Sequence, residues 1–180
     1  STKQRIKRVA CGEHHCLLVS ENKKVYGWGS NRYGQLGDVE KDLHKNVIEI
    51  QALENIIDVA CGSEFSIALT KQGQLYGFGC AKYGQLGHGS CLRSIDRPVL
   101  MKGFGGKEQC ALQVACGANH TLILNSQGKV FSCGDGSNGQ LGFPFSNKLG
   151  SKISTPLEVE FDSTIAEIGG YGNGSFAVLR

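Results

Sequence analysis

His15 and His120 are the side chains best suited to proton transfer or metal ligation, and each is followed by a small residue carrying a heteroatom, Cys16 or Thr121. His14 and Cys16 flank His15 and would add ligands. On an extended chain alternate residues share a face, so only His14 and Cys16 converge, and two ligands fall short of a closed zinc site. Asp135-Gly136-Ser137-Asn138-Gly139 opens like a calcium loop, but Ser146 stands where the closing bidentate glutamate belongs. Phe104-Gly105-Gly106-Lys107 lacks both the spacing of a phosphate loop and the hydroxyl residue that follows it. No Ser/His/Asp or Cys/His order specifies a nucleophile. The expectation is a chain with no catalytic residues, no cofactor and no metal.

The two histidines recur for a simpler reason. Gly34-Gln35-Leu36-Gly37 returns as Gly84-Gln85-Leu86-Gly87 and as Gly139-Gln140-Leu141-Gly142, and Val-Ala-Cys-Gly precedes each copy at Val9, Val59 and Val114. The matched blocks are 9–37, 59–87 and 114–142, with a shorter one at 168–180. The period is 50, then 55, then 54, and the variation falls in linkers of 21, 26 and 25 residues. A fixed block with variable connections marks a repeat architecture. The tetrapeptide residues, with His15, His120 and Trp28, then read as parts that hold each unit's geometry, the histidines through a hydrogen bond.

Each block predicts a hairpin. In the first, Cys16-Leu17-Leu18-Val19-Ser20 and Val25-Tyr26-Gly27-Trp28 flank a polar turn in which Lys23 or Lys24 must take the conformation that Gly73 and Gly128 supply in the later copies. The linkers add strands at Val47-Ile48-Glu49-Ile50, at Pro98-Val99-Leu100 and at Pro156-Leu157-Glu158-Val159, with proline at the opening of an outer-edge strand. Gly27 and Gly77 inside strands point to close approach between neighbouring sheets. No helical stripe survives the glycines and turns. The fold class expected is all-β, a single β-propeller arc over residues 1–180 built of four-stranded antiparallel blades, with fourteen strands, about half of a seven-bladed ring.

Net charge is +3, which gives no ground for a nucleic-acid binder. Lys3, Arg5 and Lys7 read as the charged face of a first strand. No apolar run approaches the roughly 20 residues that cross a membrane. Cys11, Cys61 and Cys116 occupy one register, which predicts a small buried side chain once per unit and a reducing, cytoplasmic or nuclear setting. The glycan-acceptor patterns at Asn119 and Asn173 are then expected to be unmodified.

Val-Ala-Cys-Gly-x-x-His, the hydrophobic strand, Val25-Tyr26-Gly27-Trp28-Gly29 and Gly34-Gln35-Leu36-Gly37 together resemble the regulator of chromosome condensation repeat family, over essentially the whole chain. The resemblance implies a seven-bladed propeller that serves mainly as an interaction platform. The family's founding member is a chromatin-bound nucleotide exchange factor for the small GTPase Ran, and other members are domains of ubiquitin ligases, kinases and membrane-traffic regulators. Phe65 departs from the histidine register, and Phe78 and Cys133 depart from that of Trp28, which leaves one tryptophan and rules out the ultraviolet-sensing use of the fold.

The function expected is a non-enzymatic scaffold for a protein partner, with guanine nucleotide exchange on a small GTPase as the alternative. Nucleic acid is the least supported partner. Variable linkers are the better places for partner contact: Arg93, Arg97, Lys102 and Lys107 make the second basic, while Glu158, Glu160 and Asp162 make the third acidic. Glu13, Glu64 and Asn119 are candidates for lining a propeller face. The remaining blades are expected from a longer parent chain or from a second copy, whose fourteen strands would bring the total to twenty-eight.

Overall fold

The computed structural model describes residues 5–39, 42–105, 109–143 and 151–180. Among them run fourteen strands. The first sheet takes β1 (Ile6–Cys11), β2 (His15–Ser20), β3 (Val25–Ser30) and β4 (Leu43–Glu49) in that order. The second takes β5 (Ile56–Cys61), β6 (Phe65–Thr70), β7 (Leu75–Cys80) and β8 (Ser94–Leu100). The third takes β9 (Ala111–Cys116), β10 (His120–Asn125), β11 (Val130–Asp135) and β12 (Lys152–Val159). A two-stranded sheet of β13 (Ile165–Tyr171) and β14 (Gly174–Leu179) closes the series. All pairing is antiparallel.

The first strands of successive sheets, β1, β5, β9 and β13, lie side by side, so the sheets fan about a shared centre as an open arc. The three larger hydrophobic clusters therefore sit between sheets. Leu17, Val25 and Leu36 of the first unit pack with Ile56, Val59 and Phe78 of the second. Ile67, Leu75 and Leu86 pack with Val114, Ile123 and Phe131, whose ring meets Phe104 edge-on with centroids 5.2 Å apart. Every residue of β6 and β10 is buried, because both faces of those strands are covered.

The hairpin turn takes φ of 62° at Lys23, against 78° at Gly73 and 77° at Gly128, so the lysine does adopt the left-handed conformation. Three expectations change. Pro98 and Pro156 lie inside β8 and β12, not at their openings, each at an irregularity where three residues of the outer strand face one of its neighbour. They sit on the outer edge, where no ladder donor is lost. Gly27 and Gly77 are approached from within their own unit, by Leu36 Cδ2 and by the Leu86 Cβ and carbonyl oxygen. The approach between sheets falls instead at Gly34, where an added Cβ would lie 2.3 Å from Asp96 Cα, and at Gly84, 2.6 Å from Ser154 Cα. The three equivalent cysteines are graded: Cys11 is exposed, Cys61 half-buried and Cys116 buried, following how far the neighbouring sheets enclose each.

Strand kind also bears on closure. The C-terminal sheet supplies the two inner positions of a unit, so a second copy would add another inner pair and no outer pair. Counting to twenty-eight does not by itself yield seven complete sheets.

Candidate interaction faces

The repeated signatures meet across sheets. Ser66 Oγ donates to the Gln35 carbonyl at 2.8 Å and lies 2.9 Å from His15 Nε2. The serine's only proton is thereby used, so His15 donates from Nε2 and its Nδ1 is an acceptor, buried and unpartnered. Burial, and secondarily the nearby His14, hold the His15 imidazole down at a pKa of about 4. His120, Ser175 and the Gln140 carbonyl repeat the clasp at 2.8 Å for both contacts, and burial lowers His120 in the same direction. In the middle junction Thr121 Oγ1 donates to the Gln85 carbonyl at 2.7 Å, with Phe65 in the histidine's register. An added Cβ at Gly12, Gly62 or Gly117 would run into the ring of His15, Phe65 or His120, which explains the glycine three residues before each aromatic side chain.

The loops that follow β1, β5, β9 and β13 form one ladder. Glu13 N–H donates to Ser63 O at 3.1 Å, Ser63 to Ala118 at 3.0 Å and Ala118 to Gly172 at 2.6 Å. They surround an axial cleft of about 340 Å³ lined by Cys11, Cys61, Cys116, Glu13 and Tyr171. Glu13 shares its register with Ser63 and Ala118; Glu64 and Asn119 share theirs with His14. The carbonyls of His14, Glu64 and Asn119 accept the Ser30, Cys80 and Asp135 amides.

Antiparallel connection puts these loops and the Gly-Gln-Leu-Gly linkers on one rim, and the hairpin turns with the sheet-to-sheet connections on the other. Arg93 is on the first rim, just before β8, and Arg97 is exposed in the β8 irregularity. Lys102, Glu160 and Asp162 are exposed on the second rim, and Glu158 near it pairs with Lys129 at 2.7 Å. The four basic candidates do not form one patch, since Arg93 and Lys102 stand at opposite ends of β8; Lys107 lies outside the described residues. Trp28 is half-buried, while Phe78 and Cys133 in its register are fully buried. Gly139 faces open space where Gly34 and Gly84 meet an outer strand, and a groove of about 360 Å³ runs from it along β14.

The sequence did not point to two further pairs. Lys82 Nζ lies 5.0 Å from the centre of the Tyr33 ring, and Lys152 Nζ 5.0 Å from that of Tyr83, each joining adjacent units on the first rim. The aligned tyrosines before Gly34 and Gly84 were the available signal.

Models of the regulator of chromosome condensation (RCC1) repeat match residues 23–69 and 72–124, and in a second form residues 6–35, 56–85 and 112–140. The chain belongs to the RCC1 repeat family. It is 31% identical over 179 residues to the human RCC1-like G exchanging factor-like protein, covering 97% of this chain and 27% of that one. It is 36% identical over 142 residues to the human probable E3 ubiquitin-protein ligase HERC4, covering 77% of this chain and 13% of that one. The crystal structure of human WBSCR16 superimposes with a TM-score of 0.86 at 26% identity, over 98% of this chain and 45% of that one. The chain thus spans less than half the length of each of these proteins.

Among the described residues no group of three or more His, Cys, Asp or Glu side chains is placed to hold a metal ion, and no helix is long and apolar enough to cross a membrane.

Proposed function

We propose that this chain is part of a protein-binding propeller whose partner is a small GTPase, and that it promotes release of the bound guanine nucleotide. The observation that supports this reading is the 31% identity, across nearly the whole chain, to a relative named for G exchange. Exchange needs no nucleophile or general base. A factor that binds the GTPase better in its nucleotide-distorted form shifts the population toward that form, and the differential binding energy does the work. The axial cleft and its ladder of loops offer a rigid rim for such binding, in a cytoplasmic or nuclear setting.

A second reading, a scaffold without exchange activity, is supported by the similarity to the ubiquitin ligase HERC4. Under it, Arg93, Arg97, Lys102, Glu158, Glu160 and Asp162 position a partner by charge. The two readings separate in one experiment. A panel of small GTPases loaded with fluorescent GDP is mixed with the protein, and release is followed alongside binding. Accelerated release of nucleotide from one GTPase supports exchange, binding of a GTPase without acceleration supports the scaffold, and failure of both removes the proposal.

A further inference from the structure

A thiol pair stands at the mouth of the axial cleft. Cys11 ends β1, Cys16 is second in β2, and their Cα atoms are directly opposed. Gly12 N–H donates to the His15 carbonyl at 2.8 Å, so the hydrogen-bonded position of the ladder falls on residues 12 and 15. The cysteines then occupy the non-hydrogen-bonded position, with Cα atoms about 4.5 Å apart, which lies within the span that a disulfide bridges. The two Sγ atoms are 3.4 Å apart, with the Cys16 thiol donating to Cys11.

Only the first unit has this arrangement. In the second and third, a thiol faces a hydroxyl: Cys61 with Ser66 and Cys116 with Thr121, each at 4.0 Å. Those hydroxyls, like that of Ser175, donate to a glutamine carbonyl of the preceding unit. Cys16 stands in the same register and gives its proton to Cys11 instead.

We propose that Cys11 and Cys16 are a reversible dithiol/disulfide site, modified by exchange with a low-molecular-weight disulfide such as oxidised glutathione. Cys11, exposed and lining the cleft, reacts first: its thiolate bonds to one glutathione sulfur and the other glutathione leaves as thiolate. Cys16 then loses its proton to water, and its sulfur attacks the Cys11 sulfur and expels the second glutathione. Two protein thiols are oxidised by two electrons, and one glutathione disulfide is reduced to two thiols. Burial, and next the bond to Cys11, push the Cys16 thiol up to about 11, which makes its step the slow one. Cys61 lines the same cleft, but its opposed partner is Ser66, so the ladder selects Cys16 for Cys11.

The test is equilibration of the folded protein in glutathione buffers of rising oxidised fraction, then alkylation and peptide mapping. Cleavage after Arg8 and Lys23 leaves both cysteines in one peptide. The result expected is conversion of that peptide from doubly alkylated to bridged and free of alkyl groups, at a mass two hydrogens below that of the free dithiol peptide, with full return under dithiothreitol. Cys16→Ser, which installs the residue found at Ser66, should stay unbridged and carry one glutathione on Cys11. A peptide that stays alkylated or singly glutathionylated under oxidising buffer overturns the proposal. So does a Cys11 to Cys61 link, or bridging seen only in urea.

Discussion

The His15 Nε2 and Ser66 Oγ atoms lie 2.9 Å apart although 51 residues separate them in the chain, and the contact joins one sheet to the next. His15 presses its ring on Gly12 while its Nε2–H serves a serine that in turn holds the Gln35 carbonyl. Removing the ring leaves a cavity and removes the serine's donor.

His15→Ala is expected to destabilise the protein by about 2–4 kcal/mol, and His15→Phe by less, because Phe65 fills this register in the second unit while Thr121 keeps its bond to Gln85. Urea unfolding midpoints of the two variants decide it. Equal midpoints would show that the ring's volume is not what the site requires.

The same histidine sets an acid limit. Its folded pKa, about 4, is below the unfolded value of 6.5, so the unfolded chain binds more protons between them. Stability is fully present above pH 6.5 and falls as the pH drops toward 4, with a ceiling of about 3 kcal/mol from this group. Unfolding curves from pH 7.5 to 4.5 should show the decline, and His15→Phe should flatten it in part, since burial lowers His120 and His88 in the same direction. A variant as acid-sensitive as the parent would assign the decline elsewhere.

Gly34, Gly84 and Gly139 share a φ near 80°, yet only the first two face a backbone. Gly139→Ala is expected to cost the strain of the left-handed conformation, about 1–2 kcal/mol. Gly34→Ala and Gly84→Ala must also push an outer strand away and should cost visibly more. Thermal melts of the three variants test the ordering, and a Gly139 variant as damaged as the others would contradict the packing.

Charge reversal at Lys102, Glu160 and Asp162 should leave stability within about 0.5 kcal/mol, since all three are exposed. Reversal at Glu158 should cost somewhat more through Lys129, though an exposed pair is worth at most about 1 kcal/mol. If these residues position a partner, its association slows while the unfolding midpoint holds. Unchanged association at low salt would remove them from the interface.

Much of this architecture is legible in the residues alone. The three tetrapeptides give the repeat, the alternation and turns give the strands, and the register of Gly73 and Gly128 gives a strained turn at Lys23 or Lys24, of which the structure selects Lys23. A repeat spacing says what occurs once per unit, but it does not say which neighbour that residue touches. The tertiary structure decided that Gly34 meets Asp96, that Pro98 sits within the β8 irregularity, and that Arg93 and Lys102 fall on opposite rims. It also set Cys11 against Cys16 and gave the last sheet two inner strands. Each of these depends on how one sheet stacks on the next and which end of a strand a loop leaves from, and that information resides in the packing of whole units.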